Sequence, residues 1–495
     1  MAVIAGGASF WLAVTERGGL VVHGNNEQGQ LGLGTQFAPQ GPTAIGGLGP
    51  VDGDAAEELV AGMQALALLD DDAPEGAAAA LAHPFAEKVA MVAAGVHHSV
   101  CVTDDGAVWA WGSNDSGQLG ITHTQTPRQL MMGVHLTRSA VPLQWAADLC
   151  DGTPARMVAC GNHHTLVLTR TGEVWACGEG VYGQTGSPGL TESVYTPERV
   201  GGLPAGVVLV AANDRFSGAL GADGQVWMWG AYRWNQLGFP AVWPHLTSNP
   251  VPTNLGFAAF GGEPVVHLSL GTYHSSAVTE TGALWVWGLN FYGELGLGDN
   301  DSRAIPTLVA AGDAAVWGGS HVLMAVAGSH NQMVLTDDGG VWTCGEGEYG
   351  CLGNGDVRDT SVLARIPPAF FGGARIVVVA CGCSGAFAAT AEGLLYACGI
   401  HNLYRDDYPV SARPRPLAVS LAPGRRIGRS SLIPRWHALV VCMGLHARLG
   451  AQAAHRVLAA VTVDDLLEQS VHLDGDLAHM GEGLLRQLAV RKRRN

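Results

Sequence analysis

The amino-acid sequence predicts an all-β fold, a seven-bladed β-propeller with a small helical C-terminal extension. Three observations predict the propeller. A short unit of glycines around a residue that is aromatic in six copies recurs seven times along the 495 residues. Each copy contains two strand patterns joined by a tight turn. The composition of 70 glycines and 14 tryptophans, without a collagen-like period, is typical of many short strands and turns.

Three positions of the repeated unit align without gaps. The first is glycine in every copy, namely Gly18, Gly106, Gly172, Gly224, Gly282, Gly339 and Gly393. Three residues later the copies have Val21, Trp109, Trp175, Trp227, Trp285, Trp342 and Tyr396. Three residues further on, glycine recurs as Gly24, Gly112, Gly178, Gly230, Gly288, Gly345 and Gly399. Another glycine closes the first six copies, as in SNDSGQLG, whereas the seventh ends in HNLYRDD.

The strand pattern within one unit predicts a small antiparallel sheet. Stretches such as SVCVT and AVWAW flank a DG or TG step, which favours a hairpin with a two-residue primed turn. A more apolar strand precedes the hairpin, as in VAAG before His98, and no helical periodicity intervenes. Because a sheet of three or four strands cannot bury both faces alone, we expect the seven copies to stack radially.

We expect the propeller to span residues 1–443, with an alanine-rich acidic insertion at about residues 50–88. Residues 444–495 follow an amphipathic helical pattern and form the C-terminal extension. An additional first half of a repeat, PRWHALVVC, lies at residues 434–442. We expect this half to join the N-terminal repeat and close the ring.

The net charge of −16 argues against broad binding to nucleic acid, which requires a basic face. The exception is the basic tail, which consists of Arg491, Lys492, Arg493 and Arg494. This tail fits a nuclear-localisation signal, a phosphate contact or a solvated terminus. No apolar run reaches membrane-spanning length, so we expect no membrane partner.

The ten cysteines form no C-x-x-C pair, which argues against a zinc site. Six of them occupy repeat positions that hold other small or apolar residues elsewhere, namely Cys101, Cys160, Cys177, Cys344, Cys381 and Cys398. We expect these six to be buried free thiols. Free thiols favour a reducing compartment, and hence a cytoplasmic or nuclear location.

Two strings, VAAGVHHSVCV ending at Val102 and VACGNHHTLVL ending at Leu168, resemble the repeat of the regulator of chromosome condensation (RCC1-like) family. The D-G-x-V-W-x-W-G and G-Q-L-G strings support the resemblance, which covers residues 3 to about 442. It implies a seven-bladed propeller. Functions in this family include nucleotide exchange on the small GTPase Ran, chromatin docking, ubiquitin-ligase accessory roles and ultraviolet reception. Four copies replace the motif histidine, with Phe10, Phe216, Asn331 and Gly385.

Two sets of loops are expected to meet at one end of the propeller, which we call the rim. One set carries the residue before the motif histidine, namely Ser9, His97, His163, Arg215, Tyr273, His330 and Ser384. The other set follows the W-G pair and includes Asp115, Tyr182, Trp234, Tyr292 and Tyr349. Exposed aromatic residues are typical of protein-binding hot spots, and packing between neighbouring loops is the alternative interpretation. The family resemblance implies functional roles for Asp115, His97, His163 and His330.

Nothing in the sequence indicates catalysis, a metal or a cofactor. The G-x-G-x-x-G strings at residues 178–183 and 345–350 are register-matched repeat positions, and no helix is expected after them to bind a phosphate. No nucleophile elbow, paired metal-ligand spacing or phosphate loop is present. The tryptophans of V-W-x-W-G, such as Trp109, are expected to pack in the core.

The leading hypothesis is therefore a non-enzymatic scaffold that binds a protein partner through the rim. A small GTPase, a ubiquitin-ligase component and a chromatin protein are the candidate partners. The alternative is a guanine-nucleotide exchange factor for a Ran-like GTPase, or a chromatin-docking regulator.

Overall fold

The computed structural model describes residues 4–7, 9–14, 18–37, 43–45, 88–121, 136–187, 193–239, 247–309, 317–381, 385–391, 394–399 and 417–418. These residues form seven antiparallel sheets of four strands each, and the strands of every sheet follow chain order. Each sheet is one blade. The predicted seven-bladed propeller is confirmed.

The first four blades occupy the N-terminal half of the chain. Blade 1 contains β1 (Ile4–Gly6), β2 (Phe10–Val14), β3 (Leu20–Gly24) and β4 (Thr43–Ile45). Blade 2 contains β5 (Val89–Ala94), β6 (His98–Thr103), β7 (Val108–Ser113) and β8 (Arg138–Gln144). Blade 3 contains β9 (Ala155–Cys160), β10 (His164–Thr169), β11 (Val174–Gly178) and β12 (Val194–Arg199). Blade 4 contains β13 (Val207–Asn213), β14 (Phe216–Gly221), β15 (Val226–Ala231) and β16 (Ser248–Asn254).

The remaining three blades follow the same plan. Blade 5 contains β17 (Val265–Leu270), β18 (His274–Thr279), β19 (Leu284–Gly288) and β20 (Arg303–Leu308). Blade 6 contains β21 (Val322–Ala327), β22 (Asn331–Thr336), β23 (Val341–Gly345) and β24 (Thr360–Arg365). Blade 7 contains β25 (Ile376–Cys381), β26 (Gly385–Thr390), β27 (Leu395–Gly399) and β28 (Leu417–Ala418). Four short 3₁₀ helices, Leu149–Gly152, Phe257–Phe260, Glu348–Gly350 and Pro368–Phe371, are the helical elements of the described residues.

The first strand of each blade contacts the first strand of the next blade, and β25 contacts β1, which closes the ring. Blade 1 takes all four of its strands from the N-terminal segment, including β1 next to β2. Residues 434–442 lie outside the described residues, so their predicted pairing stays a prediction. The same holds for the helical extension at 444–495 and for the insertion at 50–88, of which only Lys88 is described.

The hairpin turns differ from the predicted two-residue primed turns. In blade 2 the Gly106 amide donates to Thr103 O at 2.8 Å and the Thr103 amide donates to Ala107 O at 3.0 Å, so the loop has three residues. Gly106 alone in this loop has a positive φ, of 92°. A primed turn would require a positive φ at Asp105 as well, whereas a type I turn followed by one left-handed glycine does not. The DG and TG steps therefore encode three-residue hairpins.

Hydrogen bonds through the second tryptophan of V-W-x-W-G join neighbouring blades. Trp111 Nε1 donates to Gln30 O at 2.8 Å, and the hydroxyl of Ser99 donates to the same carbonyl at 2.7 Å. Trp229 and Trp287 repeat this arrangement on Gln184 O and Gln236 O. Both lone pairs of each acceptor are thus satisfied inside the interface. Each G-Q-L-G loop is fastened to the following blade.

Cysteine replaces this tryptophan in three blades and keeps the same interaction in weaker form. Cys177 Sγ donates to Gln118 O at 3.7 Å, and Cys344 Sγ donates to Glu294 O at 3.3 Å. Of the six predicted buried thiols, Cys101, Cys160, Cys177, Cys344 and Cys398 are buried, and all six are free. Cys381 is half-buried, so the prediction is wrong for this residue. It lies at the end of an innermost strand, beside the opening of the axis.

The G-x-x-H motif also joins blades. His98 Nε2 lies 3.0 Å from Thr165 Oγ1, whose hydroxyl donates to Gln118 O at 2.7 Å. The Thr165 proton is thereby engaged, so the imidazole Nε2–H is the donor to the hydroxyl oxygen. Burial lowers the pKa of His98 to about 3, which keeps the ring neutral. A Cβ on Gly95 would overlap this ring, which explains the glycine of the motif.

Candidate functional site at the rim

Both sets of predicted loops lie at the same end of the propeller, because they are hydrogen-bonded to each other within each of blades 1 to 6. In blade 2 the Ser113 amide donates to His97 O at 2.8 Å, and in blade 3 the Glu179 amide donates to His163 O at 2.8 Å. Blades 1, 4, 5 and 6 make the equivalent bond between the amides of Asn25, Ala231, Leu289 and Glu346 and the carbonyls of Ser9, Arg215, Tyr273 and His330. In the described residues the rim therefore consists of six pairs of hydrogen-bonded loops.

The glutamine at the G-Q-L-G position sets the shape of the rim loops in blades 1 to 4. Its side-chain oxygen accepts the amide two residues earlier, as in the 2.8 Å bonds from Ser116 to Gln118 and from Tyr182 to Gln184. Gln236 accepts the Trp234 amide in the same way. These buried amides hold the preceding residue in place, so the aromatic side chains at that position have a fixed backbone.

An aromatic cluster runs across blades 4 to 6. The ring centroid of Trp234 lies 6.2 Å from that of Tyr273 and 6.0 Å from that of Phe291, both edge-on. The His330 ring lies 5.1 Å from Tyr273 and 5.0 Å from Tyr292. Phe291 is 59% exposed and Tyr292 is 37% exposed. An exposed aromatic group of this size on one face is characteristic of protein-binding surfaces.

An arginine–tyrosine–glutamate group lies between blades 3 and 4. The Arg215 guanidinium carbon is 4.8 Å from the Tyr182 ring centroid, and its Nη1 donates to the Tyr182 hydroxyl at 2.9 Å. Arg215 Nε also lies 3.8 Å from a Glu179 carboxylate oxygen, which accepts the Gln184 side-chain amide at 3.1 Å. The guanidinium thus combines a ring contact and a hydrogen bond on Tyr182 with a longer charge contact to Glu179.

A histidine and acid group occupies the rim of blades 2 and 3. Burial and the nearby His163 lower the pKa of His97, while the carboxylates of Glu27 and Asp115 raise it in part. Asp115 is exposed, and its carbonyl accepts the Tyr195 hydroxyl at 3.0 Å. His97, His163 and Asp115 are therefore close enough to influence one another electrostatically.

A buried carboxylate distinguishes the rim loop of blade 5. Glu294, which is 1% exposed, stands where four other repeats have glutamine, and one of its oxygens accepts the Tyr292 amide at 2.9 Å. The other oxygen lies 3.2 Å from His330 Nδ1. Burial opposes ionisation, but the His330 contact and the nearby His274 leave the pKa of Glu294 below its usual value. The substitution introduces a buried negative charge at the rim.

The axis of the ring opens at the rim end into a cavity of about 50 Å³. Its lining comes from all seven blades and includes Asn162, Asn213, Thr272, Cys160 and Cys381. Backbone bonds between neighbouring loops narrow it, such as the Asn162 amide donating to Asp214 O at 2.9 Å. This space is large enough for only a few water molecules, so the rim surface is the larger recognition feature.

The structure thus brings most of the predicted rim residues into contact with one another. Tyr182 is bonded to Arg215, the Trp234 ring contacts Tyr273, and the His330 ring contacts both Tyr273 and Tyr292. Tyr349 lies within the short helix Glu348–Gly350, at the register position predicted. The basic tail, Arg491 to Arg494, lies outside the described residues. No group of three or more histidine, cysteine or acidic residues suited to a metal occurs in the described part of the chain.

The prediction missed three rim residues that the structure makes prominent, namely Arg233, Phe291 and Glu294. Arg233 lies 5.2 Å from the Trp234 ring centroid and Phe291 is the most exposed ring of the aromatic cluster. A comparison of the repeats position by position could have found them. Glu294 is the only acid at the glutamine position, and Phe291 stands where Glu27 and Asp115 stand in blades 1 and 2.

The chain belongs to the RCC1-like domain family, whose family model matches residues 61–406. Among curated proteins, the ultraviolet-B receptor UVR8 of Arabidopsis thaliana is 29% identical to this chain over 63% of the chain's length. A secretion-regulating guanine nucleotide exchange factor of Mus musculus is 31% identical to this chain over 54% of the chain's length. These matches cover 65% of the receptor and 53% of the exchange factor.

Among solved structures, Prp20p from Saccharomyces cerevisiae has a TM-score of 0.59 with the chain at 20% identity. The superposition covers 77% of this chain and 80% of Prp20p, whose structure was described together with its binding to Gsp1p and histones. This likeness supports the fold. The family therefore includes regulators, exchange factors and interaction proteins that share one propeller.

Proposed function

We propose that this protein is a non-enzymatic scaffold that binds a protein partner through the rim. The observation that carries the proposal is the aromatic cluster of Trp234, Tyr273, Phe291, Tyr292 and His330, which crosses three blades. Its backbone is fixed by buried side-chain bonds while two of its rings stay exposed. Rigid aromatic groups of this kind contribute most of the binding energy in many interfaces, because little conformational entropy is lost.

The candidate partners are a small GTPase, a ubiquitin-ligase component and a chromatin protein. The free thiols of the propeller fit a reducing compartment, so we also propose a cytoplasmic or nuclear location. The related proteins include propellers with regulatory roles, but each relative has a partner of its own. The rim of this chain differs among its own blades, which gives it the means to select one partner.

The test is partner capture by proximity labelling with the full chain and two variants. Trp234→Ala and Tyr292→Ala remove rim rings, and Leu394→Ala is the matched control because Leu394 is 45% exposed in the hairpin at the opposite end. We expect both rim variants to lose a partner that the control retains. If every partner survives both rim variants, the rim is not the binding surface.

The second candidate function is nucleotide exchange on a Ran-like GTPase. It is favoured by the grouping of His97, His163 and Asp115 on blades 2 and 3, and by the relationship to an exchange factor. Exchange requires interactions that weaken nucleotide binding by the GTPase, whereas a scaffold needs only contact area.

We expect the purified chain to accelerate GDP release from Ran by no more than about tenfold, which corresponds to ~1.4 kcal/mol in the barrier. A stopped-flow assay with fluorescent GDP measures this rate. An acceleration of about a thousandfold that disappears in Asp115→Ala would establish the exchange function instead.

A further inference from the structure

Three arginines in the described part of the chain lie against aromatic rings, and two of them also reach a carboxylate of the chain. Arg215 has the tyrosine ring and the glutamate described above. The guanidinium carbon of Arg365 is 5.7 Å from the Trp342 ring centroid, and its Nη2 lies 2.6 Å from an Asp338 carboxylate oxygen. In both cases one guanidinium contacts a ring and a carboxylate together.

Arg233 is the third of these arginines, and it has the ring without the carboxylate. Its guanidinium carbon lies 5.2 Å from the Trp234 ring centroid, and the residue is exposed. Among the described residues no aspartate or glutamate forms an ion pair with Arg233. The sequence also has no acidic residue between positions 224 and 262. The Arg233 side chain can therefore pair with a carboxylate from outside the chain.

The rim position of Arg233 is exposed in the other blades as well. The same register position holds Glu27, Asp115, Val181, Phe291 and Glu348, which are all exposed. Arg233 is the only cation in this set. The two flanking blades present apolar side chains there, since Val181 is 52% exposed and Phe291 is 59% exposed. Blade 4 thus offers a positive charge between two blades that offer apolar surface.

Contacts on both sides of Arg233 fix its backbone. Before it, the hydroxyl of the buried Tyr232 donates to Phe239 O at 2.6 Å, and after it the Trp234 amide donates to the loop glutamine at 2.8 Å. The Trp234 ring contacts the Arg233 guanidinium and lies 6.0 Å, between centroids, from the ring of Phe291. The three side chains form one surface, and a partner that binds it loses little additional conformational entropy.

We propose that Arg233 binds an aspartate or glutamate side chain of the protein partner, and that a neighbouring apolar side chain of the partner packs on the Phe291 ring. This inference rests on the proposed rim-binding function and specifies the partner segment as one that is both acidic and apolar. A guanidinium held against a ring can donate two parallel hydrogen bonds to a carboxylate, which is a stronger arrangement than a single bond. The partner's carboxylate takes the role that Asp338 has for Arg365 within the chain.

The test uses a fluorescein-labelled peptide in which glutamate–leucine pairs alternate with glycine, and its glutamine–leucine counterpart of the same length. Binding to the full chain is measured by fluorescence anisotropy at about 150 mM salt. We expect the glutamate peptide to bind at least about tenfold more tightly than the glutamine peptide. The net charge of −16 makes this result diagnostic, because diffuse electrostatic repulsion would favour the uncharged peptide.

Three variants locate the site. Arg233→Gln should abolish the preference for the glutamate peptide. Arg358→Gln is the matched control, because it removes the same charge from an exposed arginine that already pairs with Asp356, and it should change the preference by less than about twofold. Phe291→Ala should weaken the binding of both peptides alike, since it removes apolar contact area and no charge.

Equal affinity for the two peptides, or tighter binding of the glutamine peptide, would overturn the proposal. An equal loss of preference in Arg233→Gln and Arg358→Gln would overturn it in favour of a diffuse charge effect. Size-exclusion chromatography tests the remaining alternative. A dimer of the parent chain that Arg233→Gln dissociates would show that a second copy, and not a partner, supplies the carboxylate.

The outcome is separable from that of the proposed function. If partner capture depends on Trp234 and Tyr292 but the peptides do not discriminate, the rim binds a partner and the carboxylate site is wrong. If capture ignores the rim, the proposed function fails whatever the peptides do.

Discussion

Replacing Asp214 with asparagine should stabilise the propeller in a pH-dependent manner. Asp214 lies at the rim end of the axis, where its carboxylate accepts the Asn162 side-chain amide at 2.7 Å. Burial raises the pKa of Asp214 to about 6, although Arg215 opposes the shift, whereas the ordinary value is 3.8. The residue also has a φ of 38°, in the left-handed region that asparagine tolerates well.

The sign of the effect follows from proton linkage. Between pH 3.8 and about 6 the unfolded chain has lost the Asp214 proton while the folded chain retains it, so this group lowers stability as pH rises through that window. Above about pH 6 the buried charge lowers the free energy of unfolding by its full amount. A shift of about two pKa units corresponds to at most ~3 kcal/mol, and solvent contact reduces this to about 1 to 2 kcal/mol.

The asparagine oxygen can still accept the Asn162 bond, so Asp214→Asn removes the charge and leaves the geometry. We expect its free energy of unfolding to exceed that of the parent chain only slightly at pH 4 and by about 1 to 2 kcal/mol above pH 7. Urea titrations from pH 4 to 8 measure the difference. A pH-independent gain, or a loss at pH 8, would refute the linkage argument, and Asp214→Ala shows separately the cost of losing the acceptor.

Three further predictions concern the packing of the blades. Trp111→Phe, which keeps most of the ring volume but removes the donor to Gln30 O, should cost about 1 kcal/mol in urea unfolding, whereas Trp111→Ala should cost ~3–5 kcal/mol. Gly95→Ala should lower the melting temperature because its Cβ overlaps the His98 ring, while Gly201→Ala, with nothing within 4 Å of its Cβ, should leave it unchanged. A bulky thiol reagent should label half-buried Cys381 before Cys177, Cys344 and Cys398, as read by peptide mapping; preferential labelling of Cys177 would contradict the assigned burial.

The repeated positions made the propeller predictable, but they did not predict how deeply each residue is buried. The V-W-x-W-G string placed Trp109 and Trp111 in one strand, and Trp109 was expected to be a buried core residue. The structure leaves Trp109 half-buried and Trp111 fully buried. The difference depends on Trp111 reaching the preceding blade at Gln30 O, a contact between residues far apart in the chain. A local pattern specifies the sheet but not which face meets the neighbouring sheet.

The rim loops were predictable for the same reason, since the strands of a repeat return to a common end. The contacts between rim side chains were not, because they join residues of different blades, as Arg215 of blade 4 joins Tyr182 of blade 3. Nor could the turn type be predicted from a DG step alone, since two- and three-residue hairpins both use a left-handed glycine.

The rim loops of different blades differ at the position of the G-Q-L-G glutamine. Where a glutamine amide caps the loop, both its donor and its acceptor are used within the chain, as with Gln184 between Tyr182 and Glu179. Blades 5 and 6 have Glu294 and Cys351 at this position. The Glu294 carboxylate accepts hydrogen bonds but cannot donate one, and the Cys351 thiol donates to backbone carbonyls. In blade 5 the result is a buried carboxylate that accepts the amide of Tyr292, next to the exposed ring of Phe291.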